Sequence, residues 1–140
     1  MKIKSLVSCL LAVIMITAMF AVPSLAAVDE RTLQTPYGPL KGLLFLHRTN
    51  FGLVQVSAEA ELTNGFNANV IIATFEIVEY YTGSPCAQVA ETYYNYNRVV
   101  ANQNYNYANY PIIPSLVTVY GCAEVRHTNS YAVWPRLIGV

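Results

Sequence analysis

The chain has 140 residues, with eight basic and eight acidic side chains. That balance excludes the basic footprint that nucleic acid or anionic lipid requires. The charges are scattered singly, and the length suits one domain with one buried core.

The first 26 residues read as a secretory signal. Lys2 and Lys4 form a basic start, an apolar run follows from Leu6 to Val22, and Pro23-Ser24-Leu25-Ala26 supplies small residues near a cleavage point. Ser24 and Ala26 place the cut after Ala26, with Ala27 as the alternative. The competing reading is a membrane anchor. The run of 17 residues includes Ser8, Cys9 and Thr17, no basic cluster follows it, and it lies at the bottom of the ~17–25 that a spanning helix needs. Leu6-Val7-Ser8-Cys9 matches a lipidation box in letters only, because the apolar stretch follows the cysteine. Residues 27–140 are then one secreted domain with six basic and eight acidic residues, a net charge of −2. No stable membrane insertion is expected after the signal is removed. Cys86 and Cys122 remain as an even pair bound for an oxidising compartment, which predicts one disulfide between them.

Beyond the signal no helical period recurs, whereas apolar–polar alternation does. Ala27 to Thr35 is polar and reads as a loose arm. Pro36-Tyr37-Gly38-Pro39 marks a turn, and Leu40–Arg48 is a strand with Leu44 and Leu46 on one face. Thr49-Asn50-Phe51-Gly52 is the next turn. Leu53–Leu62 alternates cleanly, with Val54, Val56, Ala58, Ala60 and Leu62 toward a core and Gln55, Ser57, Glu59 and Glu61 toward water. Asn64-Gly65 is a hairpin-type turn signal. Val70–Tyr81 turns Ile71, Ala73, Phe75 and Ile77 inward; Glu79 falls out of phase, which a bulge or strand end near Val78 would reconcile. Cys86–Thr92 is a short strand, Ser115–His127 a long one, and Ser130–Ile138 the last, interrupted by Pro135. In Ser115–His127, Cys122 opposes Val117, Val119, Ala123 and Val125 unless Gly121 marks a bulge. About seven such strands with Gly, Pro and Asn turns predict an all-β fold, a single antiparallel β-sandwich, with a small β-barrel as the alternative.

Tyr120-Gly121, Glu124-Val125-Arg126 and Ser130-Tyr131-Ala132-Val133 form a pattern within Tyr120–Leu137. The stretch resembles the closing motif of small secreted β-sandwich proteins of Gram-positive bacteria, and Thr35–Leu44 is a second point of similarity. Those proteins often have a histidine before the glutamate, where this chain has Ala123. The resemblance implies secretion and a β-sandwich, and carries no activity with it.

Candidate chemistry is sparse. Asp29 is the one aspartate and no G-x-S-x-G elbow exists, which disfavours acyl transfer. Two cysteines with His47 and His127 lack the spacing of a zinc site, and no acidic loop suits calcium, so neither metal nor cofactor is expected. Glu59 and Glu61 share a strand face about 7 Å apart, within reach of glycosidase geometry. Alternating glutamates also simply keep a sheet face soluble. Glu124 and Arg126 can pair, His127 reads as a polar turn residue, and Trp134 reads as a core anchor in preference to a binding platform.

The most unusual composition lies in Thr92–Pro111, where Tyr93 to Tyr110 holds six tyrosines and six asparagines in eighteen residues. Tyr94 and Tyr96 share a strand face, as do Tyr105 and Tyr107, so two short strands around Arg98–Asn104 would form a hairpin or arch. The same residues suit an adaptable binding surface or β-assembly. Tyr94, Tyr96, Tyr105, Tyr107, Tyr110 and Asn106 are therefore the candidate contact residues, on an exposed patch at one edge or end of the sandwich. The expected function is a secreted, non-catalytic interaction or structural protein of the cell envelope or medium. Its partner would be a surface glycan, a protein or a second copy, and not nucleic acid. The alternative is a glycan-binding module, or a glycan-directed hydrolase using Glu59 and Glu61.

Overall fold

The computed structural model describes residues 25–48, 53–106 and 116–140, with backbone only at Leu25 and Asn106. The predicted signal, apart from its last two residues, lies outside the described residues, as do the turn at Thr49–Gly52 and the prolines Pro111 and Pro114. Among the described residues the chain forms nine strands: β1 (Leu25–Thr35), β2 (Gly38–Arg48), β3 (Leu53–Leu62), β4 (Ala68–Glu79), β5 (Pro85–Tyr96), β6 (Arg98–Asn106), β7 (Val117–Arg126), β8 (Ser130–Val133) and β9 (Arg136–Ile138).

They make two antiparallel sheets, one ordered β1-β2-β3-β6, the other β5-β4-β7-β8 with β9 also on β7. Each sheet keeps two edges, so the architecture is a sandwich and not a closed barrel. The core is the apolar face of each alternating strand. Leu40, Leu44 and Leu46 of β2, alternate residues Val54 to Leu62 of β3, and Val99, Ala101 and Tyr105 of β6 pack against Ile71, Ala73, Phe75 and Ile77 of β4 and Val117, Val119, Ala123 and Val125 of β7. Burying such side chains contributes about 1.5–3 kcal/mol each for the larger ones.

The expected loose arm is instead a full strand. Thr35 pairs with Gly38 and Leu25 with Arg48, so β1 runs the length of β2. Charges hid it: Asp29 and Arg31 stand opposite Leu44 and Gly42, on the core-facing side of an edge strand. Inward charges there protect the edge and mask the apolar period. Thr35 closes the hairpin, its hydroxyl donating to the Gly38 carbonyl at 2.7 Å while accepting the Tyr37 N–H at 3.2 Å. Asn64-Gly65 does turn the chain, but β3 and β4 lie in different sheets, so it builds an arch and not a hairpin. Asn64 holds that arch, donating to the Tyr37 carbonyl at 2.9 Å and accepting the Phe66 N–H at 3.1 Å.

The irregularity near Val78 is present. Ile77 pairs with Ala87 and Val78 with Pro85, leaving Cys86 as the extra residue. Ile77 and Val78 are both buried, and β4 ends at Glu79, which is only partly covered.

The predicted disulfide is absent; Cys86 and Cys122 are free thiols. Topology forbids the bridge. Cys122 pairs with Thr74 on one side of β4, and Cys86 lies beside Ile77 and Val78 on the other. Two strand spacings alone are about 9–10 Å, beyond the ~7 Å between Cα atoms that a disulfide tolerates. The β4–β7 register runs without a shift, so Gly121 is no bulge and Cys122 faces away from the core valines.

Candidate functional site

The tyrosine-rich segment spans a change of sheet. β5 is the edge of one sheet and β6 the edge of the other, and the chain crosses between them at Asn95–Asn97. Asn95 takes a positive φ of 60°, a conformation that asparagine tolerates better than most residues. The Asn97 carbonyl then accepts the Leu62 N–H at 2.8 Å, tying the corner to β3. Arg98–Asn104, expected as a loop between two short strands, is itself the body of β6, paired along β3 from Glu61 to Gln55.

This crossing divides the tyrosines. Tyr93, Tyr94 and Tyr96 are exposed, Tyr94 at 66%. The rings of Tyr93 and Tyr96 meet edge to face, their centroids 5.5 Å apart. Thr92, Tyr93, Tyr94 and Tyr96 line a concavity of about 440 Å³. Tyr94 and Arg126 both stand opposite Val70 on β4, so a guanidinium lies across that strand from the ring. Tyr105, by contrast, is a core residue, 6% exposed. It falls in phase with Val99 and Ala101 and opposite Val54, all buried. It is therefore removed from the candidate contact set. Asn106 pairs with Leu53 at the end of β6, its side chain outside the description, and Tyr107 and Tyr110 lie outside the described residues.

The carboxylates of the hydrolase reading are engaged with cations. Glu59 is buried to 9% exposure and accepts from Arg98 at 2.7 Å. Glu61 pairs with Lys41 at 3.3 Å. The outward face of β3 is thus partly covered, and Glu59 is not the solvated residue that alternation predicts. Glu124 and Arg126 pair as anticipated, through two contacts of 2.6 and 3.1 Å. β7 ends one residue earlier than expected, at Arg126, and His127 lies in the turn that follows, packed in a ring cluster with Tyr37 at 4.1 Å and Phe66 at 5.5 Å. Among the described residues no group of three or more His, Cys, Asp or Glu could hold a metal ion.

Both thiols resist ionisation. Burial, then the nearby Glu124 charge, pushes Cys122 up to about 11. Burial and Glu79 raise Cys86 as well. The Arg126 charge opposes this at Cys122 but is outweighed, so neither thiol has the lowered pKa of a nucleophilic cysteine.

Trp134 is not a core anchor: it is 64% exposed. Pro135 and Leu137 are buried beside it while Trp134, Arg136 and Ile138 are exposed, so an in–out alternation runs from the link between β8 and β9 into β9 and leaves the indole outward. That signal stood in the sequence and was masked by the usual preference of tryptophan for cores. Comparison with protein-family models, with curated proteins and with solved structures found no match.

Proposed function

We propose that the chain is a secreted, non-catalytic structural or interaction protein of the cell envelope or surrounding medium, which associates with partner strands through the tyrosine-bearing edge of β5. The joint exposure of Tyr93, Tyr94 and Tyr96 on the terminal strand of a sheet carries this reading. An edge strand presents unpaired N–H and C=O groups, and charges or proline normally protect it. β1 has Asp29, Glu30 and Arg31, whereas β5 has Glu91 and, at its very start, Pro85. Tyrosines add broad, rigid contact area at low entropic cost. The simplest partner is β5 of a second copy, added antiparallel across a twofold axis. The concavity beside the rings favours a second reading, a glycan-binding module in which a sugar ring stacks on tyrosine.

Sedimentation velocity over a concentration series tests the first reading. The wild type is expected to dimerise as concentration rises, and Tyr94→Ser/Tyr96→Ser to remain monomeric. A glycan array with the same two proteins reads the second. A monomeric wild type with a blank array overturns both readings, and equal association of the variant removes the tyrosines from the interface. Intact mass of the exported protein is expected to begin at Ala27; a retained Met1 would count against secretion.

A further inference from the structure

The opposite flank of the sandwich carries a second surface, built from both sheets. Between β8 and β9 the chain lies flat on two glycines. A side chain at Gly42 would meet Val133 Cγ1 at 2.8 Å and Pro135 Cδ at 3.4 Å, and one at Gly121 would meet Pro135 Cγ at 3.0 Å. The Gly121 N–H donates to the Pro135 carbonyl at 2.8 Å. Val133 and Pro135 are thereby fixed inward, and Trp134 and Arg136 are held outward on a firm backbone. Tyr120 is the register partner of Arg136 and is itself exposed, which sets a phenol ring and a guanidinium side by side.

The facing sheet supplies the other wall. β1 brings Arg31, paired with Asp29 at 2.9 Å, and the same Asp29 carboxylate accepts the Arg136 N–H at 2.7 Å. Asp29 therefore clamps the two sheets at this point and sets the spacing of the two arginines. Arg31, Tyr120, Gly121, Trp134, Pro135 and Arg136 line a groove of about 320 Å³. That lies at the small end of ligand pockets, enough for one or two sugar rings. The Arg136 guanidinium has no ion-pair partner among the described residues.

We infer that this groove binds a saccharide bearing an anionic group, its ring stacked on Trp134 and Tyr120 and its carboxylate or phosphate held by Arg136 with Arg31. The chemistry follows from the parts. Exposed indole and phenol faces offer the apolar half of a pyranose a flat surface. A guanidinium binds planar carboxylate or phosphate oxygens in a fork. Nucleic acid would need more cations than two arginines supply in a chain without basic surplus. The site is independent of the β5 edge: β5 and β8 stand at opposite ends of their sheet.

Trp134 is the single tryptophan of the chain, so its emission reports on this groove directly. The purified protein would be titrated with hexagalacturonate, with a phosphorylated mannopentaose, with methyl-esterified hexagalacturonate and with a short oligothymidylate. A saturable emission change with at least one of the two acidic saccharides is expected, at least tenfold weaker in Arg136→Gln and at least tenfold weaker for the methyl ester than for hexagalacturonate where that acid binds. Trp134→Ala, followed by calorimetry, is expected to lose binding with an unchanged circular dichroism spectrum. The carboxylate and phosphate arms distinguish the two sources of charge. The inference is overturned if neither acidic saccharide binds the wild type. It is equally overturned if Arg136→Gln and Trp134→Ala bind normally, if the ester binds as well as the acid, or if the oligothymidylate binds most tightly.

Discussion

Cys122 lies on the outward face of β7 between Tyr120 and Glu124 and is nevertheless buried. Its neighbours are Thr74 across the ladder and the Glu124 and Arg126 charges along the strand. Because its folded value of about 11 exceeds that of an ordinary thiol, the protonated form is favoured in the folded state. Below about pH 8.5 both states keep the proton and stability is unaffected. As pH rises from there toward the folded value, only the unfolded chain ionises, so stability falls, by at most about 1.4 kcal/mol per pH unit. Urea midpoints measured between pH 8 and 11 are expected to drop more steeply in the wild type than in Cys122→Val. Parallel curves would mean that Cys122 titrates normally. A thiol reagent at pH 8 is expected to modify Cys86 first and Cys122 only after unfolding, with no mass change on reduction. The pairing of these two cysteines was a reasonable inference from export and number, but spacing along a chain contains no information about which side of β4 each occupies.

At the scale of the element, β5 and β6 are one tyrosine-rich run cut in two by the corner at Asn95–Asn97. Composition alone marked the segment, whereas parity grouped Tyr94 with Tyr96 and the structure sets the Tyr96 ring against Tyr93, beyond the positive-φ Asn95. Which group faces the core depended on phase with the small apolar residues: Val99 and Ala101 continue into Tyr105, whereas no buried residue of β5 stands in phase with Tyr94. A core tyrosine and a surface one differ sharply on truncation. Tyr105→Ser is expected to cost about 3 kcal/mol, from lost transfer energy and the cavity left behind. Tyr94→Ser is expected to stay within about 0.5 kcal/mol. Chemical denaturation of both variants checks this, and similar costs would show that Tyr105 is not packed as described. The arm read from Ala27–Thr35 failed for a related reason. Backbone pairing with β2 makes it a strand, and its inward charges, Asp29 and Arg31, serve the seam between the sheets.

Across the whole molecule, glycine stands where the facing sheet leaves no room for a side chain. At Gly42 an added methyl group would stand 3.0 Å from the Ala123 Cβ as well as 2.8 Å from Val133. Ala123 has no rotamer to escape into, so Gly42→Ala is expected to cost about 1–3 kcal/mol through overpacking. Gly65, whose added Cβ would meet nothing within 4 Å, provides a control for open space, although its φ of +77° adds its own strain. A Gly42→Ala protein with an unchanged melting temperature would mean that the sheets can part at no cost.

The sequence by itself determined the all-β class, the faces of β3, β4 and most of β7, the irregularity at Val78 and the location of the unusual tyrosine cluster. Each of these is written in local alternation or composition, which a strand expresses without help from distant residues. Only the tertiary structure decided that Ala27–Thr35 is part of a strand, that Asn64-Gly65 crosses between sheets, that Cys86 and Cys122 stand on opposite sides of β4, and that Tyr105 is core while Trp134 is surface. Those outcomes depend on strand order and on which residues oppose each other across the sandwich. Contacts between residues far apart in the chain, such as Asp29 with Arg136 or Gly42 with Val133, leave no local period to read.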